Sequence, residues 1–213
     1  MKIVQTFWSG GKNNLMNESY GWFSPDYHVM GWVLSSNLLR RYYSDVELYT
    51  DKAGYEIFIK KLNLPYTKVH VVLDCLNKYN SKLWALPKIY TYSLQEEPFL
   101  HIDGDVFIWG KFDKDLMSSE FITQNMESAT EYYKKLWIEL ENNLSYFPEE
   151  IIQDRKENTD IKAYNVGIFG GNDIQFIKQY TKKAFEFVDK NISSLQNINV
   201  GDFNIFFEQY MFY

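Results

Sequence analysis

"FLHIDGDVFIW", residues Phe99 to Trp109, is apolar on both sides of two carboxylates, Asp103 and Asp105. A turn between exposed strands would not carry "PFLHI" before it and "VFIW" after it. The flanks therefore place the acids at the end of a central strand, with Val106 to Ile108 continuing as strand. In a strand Phe99, His101 and Asp103 share one face, while Leu100 and Ile102 share the other. Gly104 permits a sharp bend, so that Asp105 can turn back toward Asp103. Two carboxylates that meet repel each other unless one is protonated or a cation bridges them. Charges withdrawn from water are costly unless paired or metal-bound. Mg²⁺ and Mn²⁺ take oxygen ligands, and Mg²⁺ commonly combines one or two carboxylates with substrate phosphates. The pattern points to a metal-diphosphate site, against the plainer alternative of an Asp-Gly-Asp turn that holds nothing.

Outward from this stretch, strand and helix signals alternate. "KIVQTF" (Lys2 to Phe7) reads as a strand, followed by a polar loop from Lys12 to Ser24. Ser24 and Pro25 form a helix start, a cap followed by proline at the first helical position, and the helix runs to Tyr43. "VELYTD" (Val46 to Asp51) and "KVHVVL" (Lys68 to Leu73) read as strands, with helical periodicity from Lys52 to Leu62 between them. Helices are expected over Ser81 to Gln95, Ser128 to Asn143, from Pro148, and over Ile174 to about Lys190. "AYNVGIFGGND" (Ala163 to Asp173) reads as strand and then turn, and Asp202 as the cap of a last helix reaching Tyr213. This alternation predicts an α/β fold with a mostly parallel central sheet flanked by helices, in one domain over residues 1–213. Open sheets of this kind bind ligands at the carboxyl ends of their strands.

Composition narrows the function classes. Hydrophobic residues make up 46% of 213, enough for a real core. The net charge of −6 argues against nucleic acid as a partner. Cys75 is the sole cysteine, which excludes an intrachain disulfide and a cysteine-based zinc site. The start lacks a long apolar segment and no stretch approaches a membrane span, so a cytoplasmic protein is expected. Aromatics reach 18%, which a core rich in rings accounts for, with a few exposed ones available for stacking on carbohydrate.

"WALPKIYTYSLQEEPFLHIDGDVFIW" resembles the segment carrying the DxD motif in GT-A-fold, nucleotide-sugar-dependent glycosyltransferases. There a helix bearing Lys or Arg precedes an apolar strand that ends in DxD. "AYNVGIFGGND" is similar to a downstream strand with an Asn-x-Gly turn that lines the sugar pocket. "IVQTFWSG" and "LYTD" sit where that fold, with its Rossmann-like half, binds the nucleoside. "FNIFFEQYMFY" is similar to a helix with a Glu-Gln pair that follows the acceptor region.

The resemblance implies a metal-dependent glycosyltransferase in which Asp103 and Asp105 hold Mn²⁺ or Mg²⁺. It implies that Phe7, Trp8, Ser9, Thr50, Asp51, Lys88 and Gly104 join them around the nucleotide-sugar, a UDP-sugar by expectation. Asn165, Gly167, Gly170, Gly171 and Glu208 would face the sugar or an acceptor of unknown chemistry. Each also has a plainer role open to it: Lys88 solvated on its helix, Thr50-Asp51 capping the next helix, Gly170-Gly171 turning the chain, Glu208 exposed. Asp160, Asp173, Asp202 and Glu208 are all candidates for a base, and none is singled out. Related families supply a third metal ligand from a C-terminal histidine, and no histidine follows His101 here. Either a further C-terminal segment completes the site, or two aspartates, phosphate and water suffice.

Two other readings compete. An apolar strand ending in Asp-x-Asp also resembles the haloacid-dehalogenase-type phosphatases, which would make Asp103 a nucleophile. There, however, the Asp strand normally comes first, and Asp202 in "VGDFNIFFE" lacks the second acid that follows it in that family. The third reading is a glycosyltransferase-like domain that binds a nucleotide or glycan without turnover.

Overall fold

Lys2–Phe7 forms strand β1, as its pattern predicts. In the computed structural model the described residues are 1–12, 15–127, 129–158 and 161–213. Asn13 and Asn14 of the expected loop, Ser128 at the expected helix start, and Asp160 lie outside them. Helix α1 spans Pro25–Tyr42, and the Ser24 side chain accepts a hydrogen bond from the Tyr27 N–H, so the cap and the proline act as anticipated.

The remaining strands are β2 (Val46–Thr50), β3 (Lys68–Val71), β4 (Phe99–Ile102), β5 (Ile122–Glu127) and β6 (Ala163–Gly171). Together they form one six-stranded sheet in the order β3-β2-β1-β4-β6-β5. β1 pairs in parallel with both β2 and β4, and β2 in parallel with β3, whereas β6 runs antiparallel to β4. The mostly parallel α/β sheet expected from the sequence is therefore present.

Contacts divide the chain into two compact units. The first comprises Met1–Ser81, Gln95–Ile122 and Gly167–Asp173, and the second comprises Lys82–Leu94, Thr123–Val166 and Ile174–Tyr213. In the first, Ile3 of β1, Leu39 of α1 and Leu100 and Ile102 of β4 share a buried cluster. Phe7, Trp32, Leu48 and Phe58 share another. The second unit contains the helices Leu86–Ser93, Thr130–Asn143, Glu149–Glu157, Ile174–Asn191 and Val200–Ile205. Its core is aromatic: Phe187 stacks on Phe203 at 5.1 Å between centroids, with Phe206, Phe147 and Trp137 around them. Among the described residues no helix is long and apolar enough to cross a membrane.

Several elements differ from the sequence reading. The strand at Phe99 stops at Ile102, because the chain turns at Gly104 and the Val106 N–H donates to the Asp103 carbonyl at 3.1 Å. The helix expected from Ser81 begins only at Leu86. Pro87, which has no N–H to donate, then falls in the first turn, where none is needed. The span from Lys52 is helix α2 (Lys52–Tyr55) passing into a π-helical stretch, Glu56–Lys61. The last helix is capped by Asn199, not Asp202: the Asn199 side chain accepts from the Gly201 N–H at 2.8 Å. It ends in a π-helical turn, Phe206–Tyr210.

Gly170 and Gly171 end β6 opposite Leu100 and Phe99. A Cβ on Gly171, whose φ is +143°, would lie 1.9 Å from the Glu120 carbonyl oxygen, and one on Gly170 would lie 2.1 Å from that of Phe99. Backbone passes backbone here too closely for any side chain. Gly171→Ala is expected to cost about 2–3 kcal/mol, read as a lower urea midpoint with an unchanged m-value. A midpoint equal to that of the parent would show that the strand end shifts freely.

Candidate functional site

The strand order reverses beside β1, with β2 and β3 on one side and β4 on the other. Such a switch point opens a crevice outside the carboxyl ends of the strands. Three expected segments meet that edge: Phe7-Trp8-Ser9 after β1, Thr50-Asp51 after β2, and Asp103-Gly104-Asp105 after β4. Register pairs Phe7 with Thr50 directly.

The Asp-Gly-Asp turn is held by its backbone. The Asp103 N–H donates to the Gly167 carbonyl at 2.8 Å, which brings Gly167 to the site. Gln5, buried on β1, donates from Nε2 to the Ser35 hydroxyl oxygen at 3.0 Å and to the Asp103 carbonyl at 3.4 Å. Gly104 lies against the Trp32 indole so closely that a Cβ would come within 2.5 Å of the ring. The carboxylates are not buried in a strand: the Asp103 side chain is 26% exposed and Asp105 is exposed. They occupy the rim of the sheet, where an outside ligand can reach them. His101 is buried, bonds Thr6 Oγ1 through Nε2 at 3.0 Å, and holds Nδ1 3.6 Å from Asp103 Oδ1. That distance is too long for a hydrogen bond.

On the β1–β2 side, Asp51 is fully engaged within the chain. Its Oδ1 accepts from the Gly54 N–H, capping α2, and its Oδ2 accepts from the Ser9 N–H, both at 2.8 Å. The Ser9 hydroxyl accepts from the Gly11 N–H at 3.1 Å. Trp8 is buried and donates from Nε1 to Asn77 Oδ1 at 2.9 Å. Thr50 is buried, and its hydroxyl has no hydrogen-bond partner among the described residues. Phe7 packs edge-on against Trp32 and Phe58. Together these contacts make a rigid shelf rather than a set of loose polar tips.

Each of the other expected residues has its own contacts within its unit. Gly170 and Gly171 lie at the amino end of β4, the far end of that strand from Asp103. Lys88, Asn165 and Glu208 belong to the second unit. There Lys88 Nζ meets Glu208 Oε1 at 2.6 Å with both side chains buried, and Asn165 donates to Glu127 Oε1 at 3.0 Å. Asp202, a candidate base, accepts from the Tyr132 hydroxyl at 2.5 Å.

Trp32, His28 and Ser35 line the site's supporting wall, a role that the sequence reading does not assign to them. The signal was present: His28, Trp32, Ser35 and Leu39 recur at the spacing of one helix face. Trp32 Nε1–H donates to His28 Nε2 at 3.0 Å, and burial pulls the His28 imidazole down to about 4, so it is neutral at pH 7. The unfolded chain takes up a proton near the ordinary histidine value, whereas the folded chain resists until about pH 4. Stability contributed by His28 is thus present above about pH 6.5 and lost as pH falls toward 4, on the order of 2 kcal/mol. His28→Gln should show a smaller drop than the parent between pH 7.5 and 4.5 in urea unfolding. Equal drops would rule out this role for His28.

An oxygen-ligated divalent cation at this edge would be offered the two carboxylates of the Asp103-Gly104-Asp105 turn. Among the described residues no three His, Cys, Asp or Glu side chains converge on one point. Asp103 and Asp105 are what the chain offers, and phosphate and water ordinarily complete such a shell around Mg²⁺.

A family model described as a family of unknown function, DUF6734, matches residues 1–213. No curated protein matches the chain. Among solved structures, mouse xyloside xylosyltransferase 1 in its apo form aligns with a TM-score of 0.47 at 12% identity, over 99% of this chain and 80% of that one.

Proposed function

The chain belongs to the DUF6734 family of unknown function over residues 1–213, and we propose that it is a single glycosyltransferase-like domain that moves a sugar from a nucleotide-diphosphate sugar to an acceptor. The observation that carries this reading is the Asp-Gly-Asp turn at the carboxyl end of β4, beside β1, where the strand order reverses. Asp103 and Asp105 would hold Mg²⁺ or Mn²⁺ there. When bound, such an ion neutralises the charge that builds on a departing nucleoside diphosphate. The chain's own residues supply the rest. The Asp103 backbone bonds to Gly167 and Val106 fix the direction in which the carboxylates leave the sheet. The Ser9–Asp51 contact and the packing of Phe7 on Trp32 hold the neighbouring edge in one shape. A preorganised edge of this kind loses little free energy to ordering when a ligand arrives.

The phosphatase reading has less support, since three strands precede β4 in the chain. Thermal-shift titration of the parent protein with UDP, GDP and other nucleoside diphosphates, each with and without Mn²⁺, tests the proposal. Saturation at about a hundred times the dissociation constant adds roughly 2.7 kcal/mol, a shift of roughly 5–10 degrees for a chain of this size. A shift that requires both metal and one nucleotide names the donor, UDP by expectation, and a sugar-release assay on that donor follows. No shift with any nucleotide, or hydrolysis of phosphomonoesters without one, would overturn it.

A further inference from the structure

The outer side of α1 carries Tyr27, Met30 and Leu34 at the spacing of one helix face, 51%, 61% and 42% exposed. Phe23, one turn ahead of the helix, is 95% exposed. The same face continues to Arg41 at the last turn. The segment that follows Asp105 runs along this helix. Ser35 Oγ donates to the Val106 carbonyl at 2.9 Å, and the Tyr42 hydroxyl donates to the Trp109 carbonyl at 2.8 Å. Trp109, 72% exposed, is thereby fixed beside the end of α1.

Next to it, Arg40, Arg41 and Lys111 line one shallow cavity of about 410 Å³ with Tyr42, Tyr43 and Ser44. Asp26, in the first turn, is the only acid in α1. The apolar stripe, the tryptophan and the basic cluster all lie on the first unit along or beside α1, in a chain whose net charge is −6.

Single exposed apolar residues need no explanation, but a contiguous set usually has a partner. Tryptophan and tyrosine favour the headgroup level of a bilayer, and arginine and lysine beside them favour anionic lipid. We propose that this surface docks the protein on an anionic lipid bilayer, with Phe23, Met30, Leu34 and Trp109 entering the interface and Arg41 and Lys111 meeting the headgroups. The turn with Asp103 and Asp105 leads straight into the segment that carries Trp109, so a docked molecule has its candidate site close to the lipid surface.

Flotation of the full chain with vesicles tests this without nucleotide or metal, so the result stands apart from the transferase reading. Vesicles of phosphatidylcholine mixed with phosphatidylglycerol should carry the protein at low salt, and those of phosphatidylcholine alone should carry much less. Raised salt should weaken the binding. Met30→Glu/Leu34→Glu and, separately, Arg41→Glu/Lys111→Glu should each lower vesicle affinity by about tenfold or more, with the thermal midpoint preserved. Failure to float with the anionic vesicles at low salt would overturn the proposal, as would variants that float like the parent. So would a parent dimer in light scattering that Met30→Glu/Leu34→Glu converts to monomer, because the face would then belong to a second copy.

Discussion

The variant Asp103→Asn/Asp105→Asn is expected to lose nucleotide binding in the presence of Mn²⁺ by about a hundredfold or more, and sugar transfer with it. An amide keeps the shape of the carboxylate but not its charge, and hard divalent cations select for charged oxygen. A hundredfold loss corresponds to about 2.7 kcal/mol, the whole of the ligand-induced shift in a typical titration. The turn itself should survive. Its two hydrogen bonds, Asp103 N–H to Gly167 and Val106 N–H to Asp103, are main-chain bonds that the substitutions do not touch. Both side chains also reach solvent, so the unliganded stability should stay within about 0.5 kcal/mol of the parent. The pair of measurements separates a lost site from a lost fold. A metal-dependent nucleotide shift that persists in this variant would show that the turn does not hold the ion.

Glu208→Leu is expected to destabilise the second unit by about 3–5 kcal/mol. Glu208 sits on the π-helical turn Phe206–Tyr210, 1% exposed at its side chain, and its carboxylate is 2.6 Å from the Lys88 ammonium. Removing the acid takes away the carboxylate that the buried Lys88 ammonium meets, beside the face of Trp84 at 6.0 Å. Replacing both members by apolar residues of similar size leaves no broken pair, and buried pairs exchanged in this way often lose little stability. Lys88→Met/Glu208→Leu should therefore recover most of what the single change costs. Urea unfolding of the three proteins gives the answer. If the double variant is no better than the single one, the cost lies in the packing of the Glu208 side chain and not in the broken ion pair.

That pair also marks where the sequence is silent. Lys88 and Glu208 lie far apart in the chain, and nothing in the pattern around either announces the other. The sequence assigns each to a ligand because a charged residue near a motif has no visible partner until the fold provides one. Asp51 is a similar case, since its place after β2 is legible but its two hydrogen bonds to Ser9 and Gly54 are not.

What could be read was local. β1 follows from its β-branched and aromatic residues, α1 from Ser24-Pro25, and the end of β4 from the change between apolar run and acids. β5 escaped because one of its six residues, Ile122, is buried, so it lacks the alternation that a half-covered strand shows. The antiparallel direction of β6 has no local signature either, because it depends on the route by which the chain returns to the sheet.

The place of β1 between β2 and β4 bears on how the chain acquires its structure. Lys2 pairs with Phe99 and Ile3 with Val46, so one edge of β1 meets its neighbour after about forty residues and the other after about a hundred. Pairings so distant in sequence slow folding, because loop-closure entropy is lost before the contacts repay it. On the ribosome, at ~5–20 residues per second, β1 would precede β4 by about 5–20 s. During that interval the edge that later meets β4 would present unpaired backbone N–H and C=O groups. Docking of α1 on β1, through Ile3 with Leu39 and Gln5 with Ser35, would cover one face of the strand before β4 emerges.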